Sequence, residues 1–265
     1  MSIHLHWYLP TNGDSRGIVG AGDDSQHISG ITGQFRTATL DYLTDIARSA
    51  ERLGFEGILT PTGSWCEDAW LTTMAISQHT TRLKFIVAFR PGFISPTLAA
   101  HQAASFQRLT EGRLIINIVT GGDPVEQRRY GDQLNHDQRY ARSSEFITAF
   151  KGVSQARENG QPFDFHGKYY QLQQASLLAS PWPVPPVFFG GSSESALQVA
   201  AANADTWISW GEPPEQVALQ LDNVRKLSAI QGRTPEFGIR FHVISRDTEE
   251  EAWSEAAKLL NRMTA

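Results

Sequence analysis

Two basic side chains near the C-terminal end of the sequence could act together on an anionic substrate. Arg240 and His242 stand two residues apart in an apolar run, 237–244, that is typical of a β-strand. Because side chains alternate across a strand, both would lie on the same face. A guanidinium stays charged at physiological pH, whereas an imidazole titrates near neutrality. On an inward face the pair suits anion binding and proton transfer; on an outward face it would pack against helices.

A turn rich in glycine and serine could bind a phosphate. It consists of Gly190, Gly191, Ser192 and Ser193, and it joins a predicted strand to a predicted helix. The glycines let the backbone approach a ligand, and the amides of a helix N-terminus favour an anion. Ser193 could equally be a simple N-cap, so a phosphate site and an ordinary helix start both remain open.

The lone cysteine, Cys66, lies in the loop 61–70 after the second predicted strand. A single cysteine cannot form an intrachain disulfide, but in such a loop it could be a nucleophile. The neighbouring carboxylates of Glu67 and Asp68 would raise the pKa of the thiol, which disfavours covalent catalysis. The alternative is a small buried residue beside a helix whose first turn carries an acidic side chain.

A His-x-His pair near the N-terminus is the feature that would indicate a metal-dependent hydrolase. His4 and His6 stand near the start of the first predicted strand, whereas barrel ligands belong at the carboxyl ends of strands. His101 and His136 do not have His-Glu-x-x-His spacing. We therefore predict no metal site.

The elements that must position these residues are short apolar strands alternating with longer segments of helical period. The predicted strands are 5–9, 57–60, 84–89, 114–119, 187–189, 206–210 and 237–244. The predicted helices are 39–53, 69–79, 97–109, 140–152, 193–204, 214–231 and 248–263. A long loop, 11–37, follows the first strand, and a hairpin insertion spans 162–172.

This alternation predicts parallel strands with right-handed crossovers. An open dinucleotide-binding sheet is disfavoured because no Gly-x-Gly-x-x-Gly opens the first helix. We predict an α/β fold of the (β/α)8 TIM-barrel type, in which residues 1–265 form one domain. Only about seven units can be counted, so either one strand has no recognisable apolar pattern or the eighth unit is missing from this chain.

Composition and charge exclude several classes of protein. The formal net charge of −5 argues against a basic nucleic-acid surface. No apolar run is long enough to span a bilayer, and the N-terminus lacks the pattern of a signal peptide. These features predict a cytoplasmic protein.

Several segments, in order, resemble the FMNH2-dependent alkanesulfonate monooxygenases of the bacterial luciferase superfamily. Besides the Cys66 loop, they are RLKF (82–85), NIVTGGDP (117–124), GGSS (190–193), WGEPP (210–214) and FGIRFHVI (237–244). The similarity runs from Leu5 nearly to the end of the chain. Each segment is modest alone, but their joint order and spacing are specific.

The resemblance implies a luciferase-like TIM-barrel enzyme that receives reduced FMN from a separate NAD(P)H-dependent flavin reductase. With dioxygen it would cleave the carbon–sulfur bond of a small organosulfur substrate, giving sulfite and an aldehyde from an alkanesulfonate. A homodimer or homotetramer is expected. The alternatives are a deazaflavin-dependent dehydrogenase of the same superfamily and a flavin-binding protein without turnover.

Residue by residue, the resemblance assigns the active site and the flavin contacts. The implied active-site residues are Cys66, Arg240 and His242, and Asn12 occupies a position where the family has a histidine. The implied flavin contacts are Asn117, Tyr140, Gly190, Gly191, Ser192 and Ser193.

Three departures from the family bear on the substrate. The amide of Asn12 cannot titrate, so any acid–base role at that position is lost. Ser64-Trp65 replaces an Arg-Ser pair, and the loop 15–37 is longer than usual. The family also continues past this C-terminus with an arginine-bearing lid and the eighth strand.

Overall fold

A computed structural model describes residues 3–13 and 36–263 of the chain. Most of the predicted loop 11–37, including its unusual length, lies outside the described residues. The strands are β1 His6–Tyr8, β2 Gly57–Thr60, β3 Lys84–Phe89, β4 Leu114–Ile118, β5 Phe163–His166, β6 Gln171–Ala175, β7 Val187–Gly190, β8 Thr206–Trp210 and β9 Glu236–Arg240. The helices are α1 Leu40–Arg52, α2 Ala69–Ser77, α3 Pro96–Thr110, α4 Pro124–Arg129, α5 His136–Gln155, α6 Glu194–Asn203, α7 Pro214–Ile230 and α8 Glu249–Met263.

Side-chain caps fix most helix starts. Thr39, Asp68, Ser95 and Ser193 each accept a hydrogen bond from a backbone amide in the first turn of the helix that follows. A capping box between Asn135 and Gln138 begins α5 at His136. The apolar period alone predicts a start at residue 140, four residues too late, because the first turn, 136–139, contains only polar residues.

The main sheet contains seven parallel strands in the order β1-β2-β3-β4-β7-β8-β9. Each strand pairs with the next main-sheet strand along the chain, so right-handed crossovers place the helices on one face. An open doubly wound sheet would instead reverse its strand order. The predicted hairpin is confirmed as the antiparallel pair β5-β6. Within the described residues no eighth strand joins the sheet, and β1 and β9 form its edges.

The sheet is curled. A flat sheet of this size would separate its edge strands by six spacings of about 4.8 Å, or roughly 29 Å. Instead, the guanidinium carbon of Arg240 in β9 lies 5.5 Å from the centre of the Tyr8 ring in β1. The two edges therefore approach within side-chain reach, as the strands of a barrel do.

Two hydrophobic clusters mark the two faces of the sheet. The larger packs the outer face against the helices and includes Phe85, Phe106 and Trp207. The smaller lies on the inner face and consists of Ile86, Ile115 and Phe188, with Leu59 and Ile208 beside them. Alternation along each strand separates the two sets.

The boundaries of β1, β4 and β7 differ from the predicted ones by one residue at one or both ends, and the largest difference is at the end of β9. The last strand was expected to run to residue 244, but β9 ends at Arg240. Phe241 and Val243 are exposed, at 63% and 71% of their surface, so apolar character in 241–244 does not reflect burial in the sheet. Among the described residues, no helix is both long enough and apolar enough to cross a membrane.

Candidate active site

Arg240 lies on the inner face at the carboxyl end of the sheet. It ends β9 and is in register with Trp210, which is two residues beyond the inner-face residue Ile208. The guanidinium carbon lies 4.7 Å from the centre of the Trp210 ring. Arg240 is therefore held between two aromatic faces, those of Trp210 and Tyr8.

The charge of Arg240 is not neutralised by a carboxylate among the described residues. Its side chain is half-buried, and burial lowers the pKa of the guanidinium, although the nearby Tyr8 hydroxyl opposes this shift. An arginine nevertheless stays protonated in a protein. A half-buried cation without an acidic partner is a natural site for an anionic ligand.

Tyr8 was not identified as a site residue from the sequence. Its hydroxyl is buried and makes no hydrogen bond to any described residue. Burial raises the pKa of Tyr8 to about 12, although the positive charge of Arg240 opposes the shift. Tyr8 therefore stays a neutral hydrogen-bond donor at physiological pH.

His242 lies beyond the end of β9, so the prediction that it shares a strand face with Arg240 is wrong. Arg240 and His242 nevertheless contact the same residue, Trp210. The His242 ring stacks on the Trp210 ring, with centroids 6.4 Å apart and an interplanar angle of 18°. Partial burial and the positive charge of Arg240 both lower the pKa of His242. The imidazole is thus neutral near pH 7 and can accept a proton.

The loops after β1 and β2 are joined, which brings Asn12 near Cys66. The amide of Glu67 donates a hydrogen bond to the carbonyl oxygen of Thr11, over 3.0 Å. The Cys66 thiol donates to the carbonyl oxygens of Pro61 and Gly63, with sulfur–oxygen distances of 3.8 and 3.6 Å.

Cys66 has the properties of a structural residue. Burial raises the pKa of its thiol to about 11, and the negative charges of Glu126 and Asp68 act in the same direction. The thiolate needed for nucleophilic attack is therefore scarce at neutral pH. Asp68 is the N-cap of α2, one position before the first turn in which the structural alternative placed an acidic side chain.

The glycine–serine turn joins β7 to α6. Ser193 is the N-cap of α6 and accepts a hydrogen bond from the amide of Ala196, over 3.3 Å. The indole N–H of Trp207 donates to the carbonyl oxygen of Gly191, over 3.0 Å. Gly191 has a φ of 131°, and a Cβ there would lie 2.8 Å from the Ala196 Cβ and 2.9 Å from the Tyr140 hydroxyl oxygen. Only glycine fits this position.

Two further predicted contacts lie near this turn or on the inner face. The hydroxyl of Tyr140 reaches the turn from α5, and burial raises its pKa while a hydrogen bond with Ser193 opposes the shift. Asn117 is in register with the inner-face residue Phe188 and is partly exposed. The side-chain amide of Asn117 makes no hydrogen bond within the described parts of the chain.

A buried ion pair braces the loops around the site. Arg90 follows β3, and its Nη2 lies 2.5 Å from the Glu126 Oε2 of α4. Glu126 also accepts a hydrogen bond from the Ser64 amide, over 2.7 Å. No sequence pattern predicts this arrangement, because its members are far apart in the chain and share no motif.

The comparisons with known proteins match this architecture. The sequence pattern of the luciferase-like monooxygenase family matches residues 6–264. The chain belongs to this family. As a luciferase-like monooxygenase it shares its fold with solved structures, of which it spans about two thirds of the length.

Three solved structures illustrate the range of the fold. A long-chain alkane monooxygenase has a TM-score of 0.77 and 22% identity, with 99% of this chain and 68% of that chain covered. A type II Baeyer-Villiger monooxygenase component from Pseudomonas putida, in complex with FMN, has a TM-score of 0.73 and 18% identity, covering 97% and 72%. An F420-dependent secondary alcohol dehydrogenase has a TM-score of 0.70 and 16% identity, covering 90% and 68%.

The turn of this luciferase-like monooxygenase fits the phosphate of FMN. The first amides of α6 have no intrahelical acceptor and lie at the positive end of the helix dipole. The absence of a side chain at Gly191 leaves the backbone open beside the Tyr140 hydroxyl. This donor set, with Ser192 exposed at the helix start, is the chemistry that a phosphate monoester requires.

The predicted residues thus form two groups. One consists of Arg240 and His242 around Trp210, with the joined loops of Asn12 and Cys66 nearby. The other consists of Tyr140 and the turn 190–193, with Asn117 on the inner face. At the opposite end of the sheet, His4 pairs with Glu56, and the described residues contain no cluster of three metal-ligating side chains.

Proposed function

We propose that this chain is a flavin-dependent monooxygenase that desulfonates an alkanesulfonate. The observation that carries the proposal is Arg240, a half-buried cation held between two aromatic rings at the mouth of the curled sheet, with no carboxylate partner among the described residues. Such a cation suits a sulfonate, which keeps its negative charge at every physiological pH.

The proposed reaction consumes reduced FMN, dioxygen and the sulfonate, and yields oxidised FMN, water, sulfite and an aldehyde. One oxygen atom of dioxygen is added to the carbon that bears sulfur, the carbon–sulfur bond breaks, and the other oxygen atom leaves as water. Bound reduced FMN would supply the two electrons that activate dioxygen. A separate NAD(P)H-dependent reductase is the proposed source of reduced flavin.

Within this reaction, the residues of the chain bind, orient and move protons. The planar fork of Arg240 would hold two sulfonate oxygens. His242, neutral because its pKa is lowered, would accept a proton beside the bound anion. The turn 190–193 and Tyr140 would hold the FMN phosphate, and the amide of Asn117 would meet the flavin on the inner face. Cys66 and Asn12 would line the mouth, which is the carboxyl end of the curled sheet around Arg240, and both would stay uncharged throughout the reaction.

We also propose that an eighth unit of the barrel belongs between β9 and β1. The support for this proposal is apolar surface on the outer faces of both edge strands. Trp7 in β1 is 44% exposed and Ile239 in β9 is 43% exposed, whereas the outer-face residue Phe85 in β3 is fully buried. A helix packed across the edges would cover such side chains.

The decisive experiment supplies the purified chain with reduced FMN, dioxygen and a series of alkanesulfonates, and measures sulfite release. Sulfite that appears only in the presence of both flavin and oxygen supports the proposal. Its absence, together with no binding of sulfonates by calorimetry, would refute it.

The second candidate is a deazaflavin-dependent dehydrogenase, which the similarity to the F420-dependent alcohol dehydrogenase favours. The turn 190–193 would accept the phosphate of either cofactor. The two candidates differ in oxygen consumption, since a dehydrogenase reduces F420 in the presence of an alcohol without consuming dioxygen. Anaerobic assays with F420 and secondary alcohols separate them.

A further inference from the structure

Tyr8 lies next to the space that a ligand of Arg240 would occupy. It is the last residue of β1 and is in register with Leu59, which belongs to the inner-face cluster. Its ring lies 5.5 Å from the guanidinium carbon of Arg240.

The hydroxyl of Tyr8 has no structural task among the described residues. It is buried, yet no described acceptor or donor pairs with it. Buried polar groups in native proteins almost always have a partner, because a hydroxyl removed from water without one is destabilising. The aromatic contact with Arg240 needs only the ring, which a phenylalanine would supply equally well. An unpartnered hydroxyl beside a cation that has no acidic partner among the described residues therefore indicates a missing ligand.

The nature of that ligand follows from the two donors. The guanidinium of Arg240 presents a planar fork that engages two oxygens of an anion. Because Arg240 lies over the Tyr8 ring, the hydroxyl lies at the ring edge, to one side of that fork. A carboxylate held by the fork keeps both oxygens, and their remaining lone pairs, close to the guanidinium plane, whereas a sulfonate carries a third oxygen out of that plane.

We propose that the Tyr8 hydroxyl donates a hydrogen bond to the third oxygen of the anion that Arg240 binds. Tyr8 is then a specificity-determining residue that favours tetrahedral anions with three oxygens over planar carboxylates. This inference rests on the proposed function, since it assumes that Arg240 binds the substrate anion. It names the class of substrate within that function and assigns a role to a residue that no sequence motif identifies.

The test compares the wild type with Tyr8→Phe, both saturated with oxidised FMN. Calorimetry measures the dissociation constants of hexanesulfonate and of hexanoate. We expect the substitution to weaken hexanesulfonate binding about tenfold, as for one lost hydrogen bond to a charged group, and to change hexanoate binding less than about twofold. The FMN dissociation constant should not change.

Tyr170→Phe is the matched control. Tyr170 is also half-buried, its pKa is raised to about 12 by burial, and its hydroxyl likewise lacks a hydrogen-bond partner among the described residues. It packs against Phe146 on the helical side of the sheet and not beside Arg240. Removing its hydroxyl should leave both dissociation constants unchanged. A ¹³C label on the tyrosine carbon that bears the hydroxyl gives a second measurement, since one tyrosine signal of the unsubstituted protein should shift with hexanesulfonate and not with hexanoate.

The outcomes separate this inference from the proposed function. If the wild type binds hexanesulfonate, Arg240→Gln abolishes that binding and Tyr8→Phe leaves it unchanged, the role of Tyr8 is wrong and the proposed function stands. Equal weakening of both ligands by Tyr8→Phe would also overturn the selectivity. If the wild type binds FMN but no sulfonate, the proposed substrate class fails, and the role of Tyr8 fails with it.

Discussion

The indole N–H of Trp207 donates a hydrogen bond to the carbonyl oxygen of Gly191, over 3.0 Å. Trp207 is fully buried on the outer face of the sheet, so the core behind the sheet holds the turn that we assign to the phosphate. Trp207→Phe should weaken FMN binding and reduce the free energy of unfolding by about 1–2 kcal/mol, because the partly buried carbonyl of Gly191 loses its partner. Fluorescence titration and urea unfolding measure the two effects. Trp253→Phe, at a residue 69% exposed in α8, should change neither.

Gly191→Val should weaken FMN binding by more than about tenfold, since its side chain would enter the space between Ala196 and Tyr140. The matched control is Gly160→Ala, because Gly160 also has a positive φ, 72°, but has open space around it. That substitution should cost stability through backbone strain alone and leave FMN affinity intact. Retained affinity in Gly191→Val would place the phosphate elsewhere.

The pKa of His242 should depend on the charge of Arg240. That charge is the second cause, after burial, of the lowered pKa, so Arg240→Gln should raise the pKa of His242. Activity that needs neutral His242 is present above its pKa and is lost as the pH falls through it. In the wild type, the acidic limb of the pH–rate profile should therefore lie below the ordinary pKa of a histidine, about 6.5. Proton NMR of the imidazole measures the shift, and Arg225→Gln, at an exposed arginine, should not alter it.

Cys66 should resist alkylation. With a pKa of about 11, its thiolate is about two orders of magnitude scarcer at pH 8 than that of an unperturbed cysteine. The rate of reaction with iodoacetamide, followed by mass spectrometry, should be correspondingly low in the native protein and normal after unfolding. A native rate that reaches half its maximum below pH 9 would show that the thiol is activated after all.

Glu126→Gln should be strongly destabilising, by about 3–5 kcal/mol, because it leaves Arg90 buried without a countercharge. The side chains of Arg90 and Glu126 are only 7% and 4% exposed. The exposed pair of Arg225 and Asp222 supplies the control, and Asp222→Asn should change stability by less than about 1 kcal/mol. Equal losses in urea unfolding would contradict this assignment of the two pairs.

Much of the fold was predictable because local sequence patterns reflect it. The strands β2, β3 and β8 begin and end where the alternation of apolar residues predicted, and the glycine–serine turn does begin a helix at Ser193. The apolar run 237–244 led to a strand that was predicted too long, because apolar residues also occur at exposed positions outside the sheet, such as Phe241 and Val243. The short helix α4 was not predicted, since its six residues are too few to show a period.

Residues of the candidate site could be predicted only where they belong to a recognisable short sequence motif. Arg240 and the turn 190–193 carried such signals. The contact of Tyr8 with Arg240 depends on the curl of the whole sheet, which brings the first and last strands together. The buried pair of Arg90 and Glu126 likewise depends on where three loops meet. No local pattern encodes distances between residues so far apart in the chain.

The side chains of the sheet are divided between two clusters, one behind the sheet and one on its inner face. Effects of substitutions add when the sites share no neighbours. Changes at the mouth, at Tyr8 or Trp210, can therefore be combined with stabilising changes among the helices without interference. Substrate range and stability can therefore evolve independently. Substitutions at the mouth can change which substrates bind, while the core between the sheet and the helices stays the same.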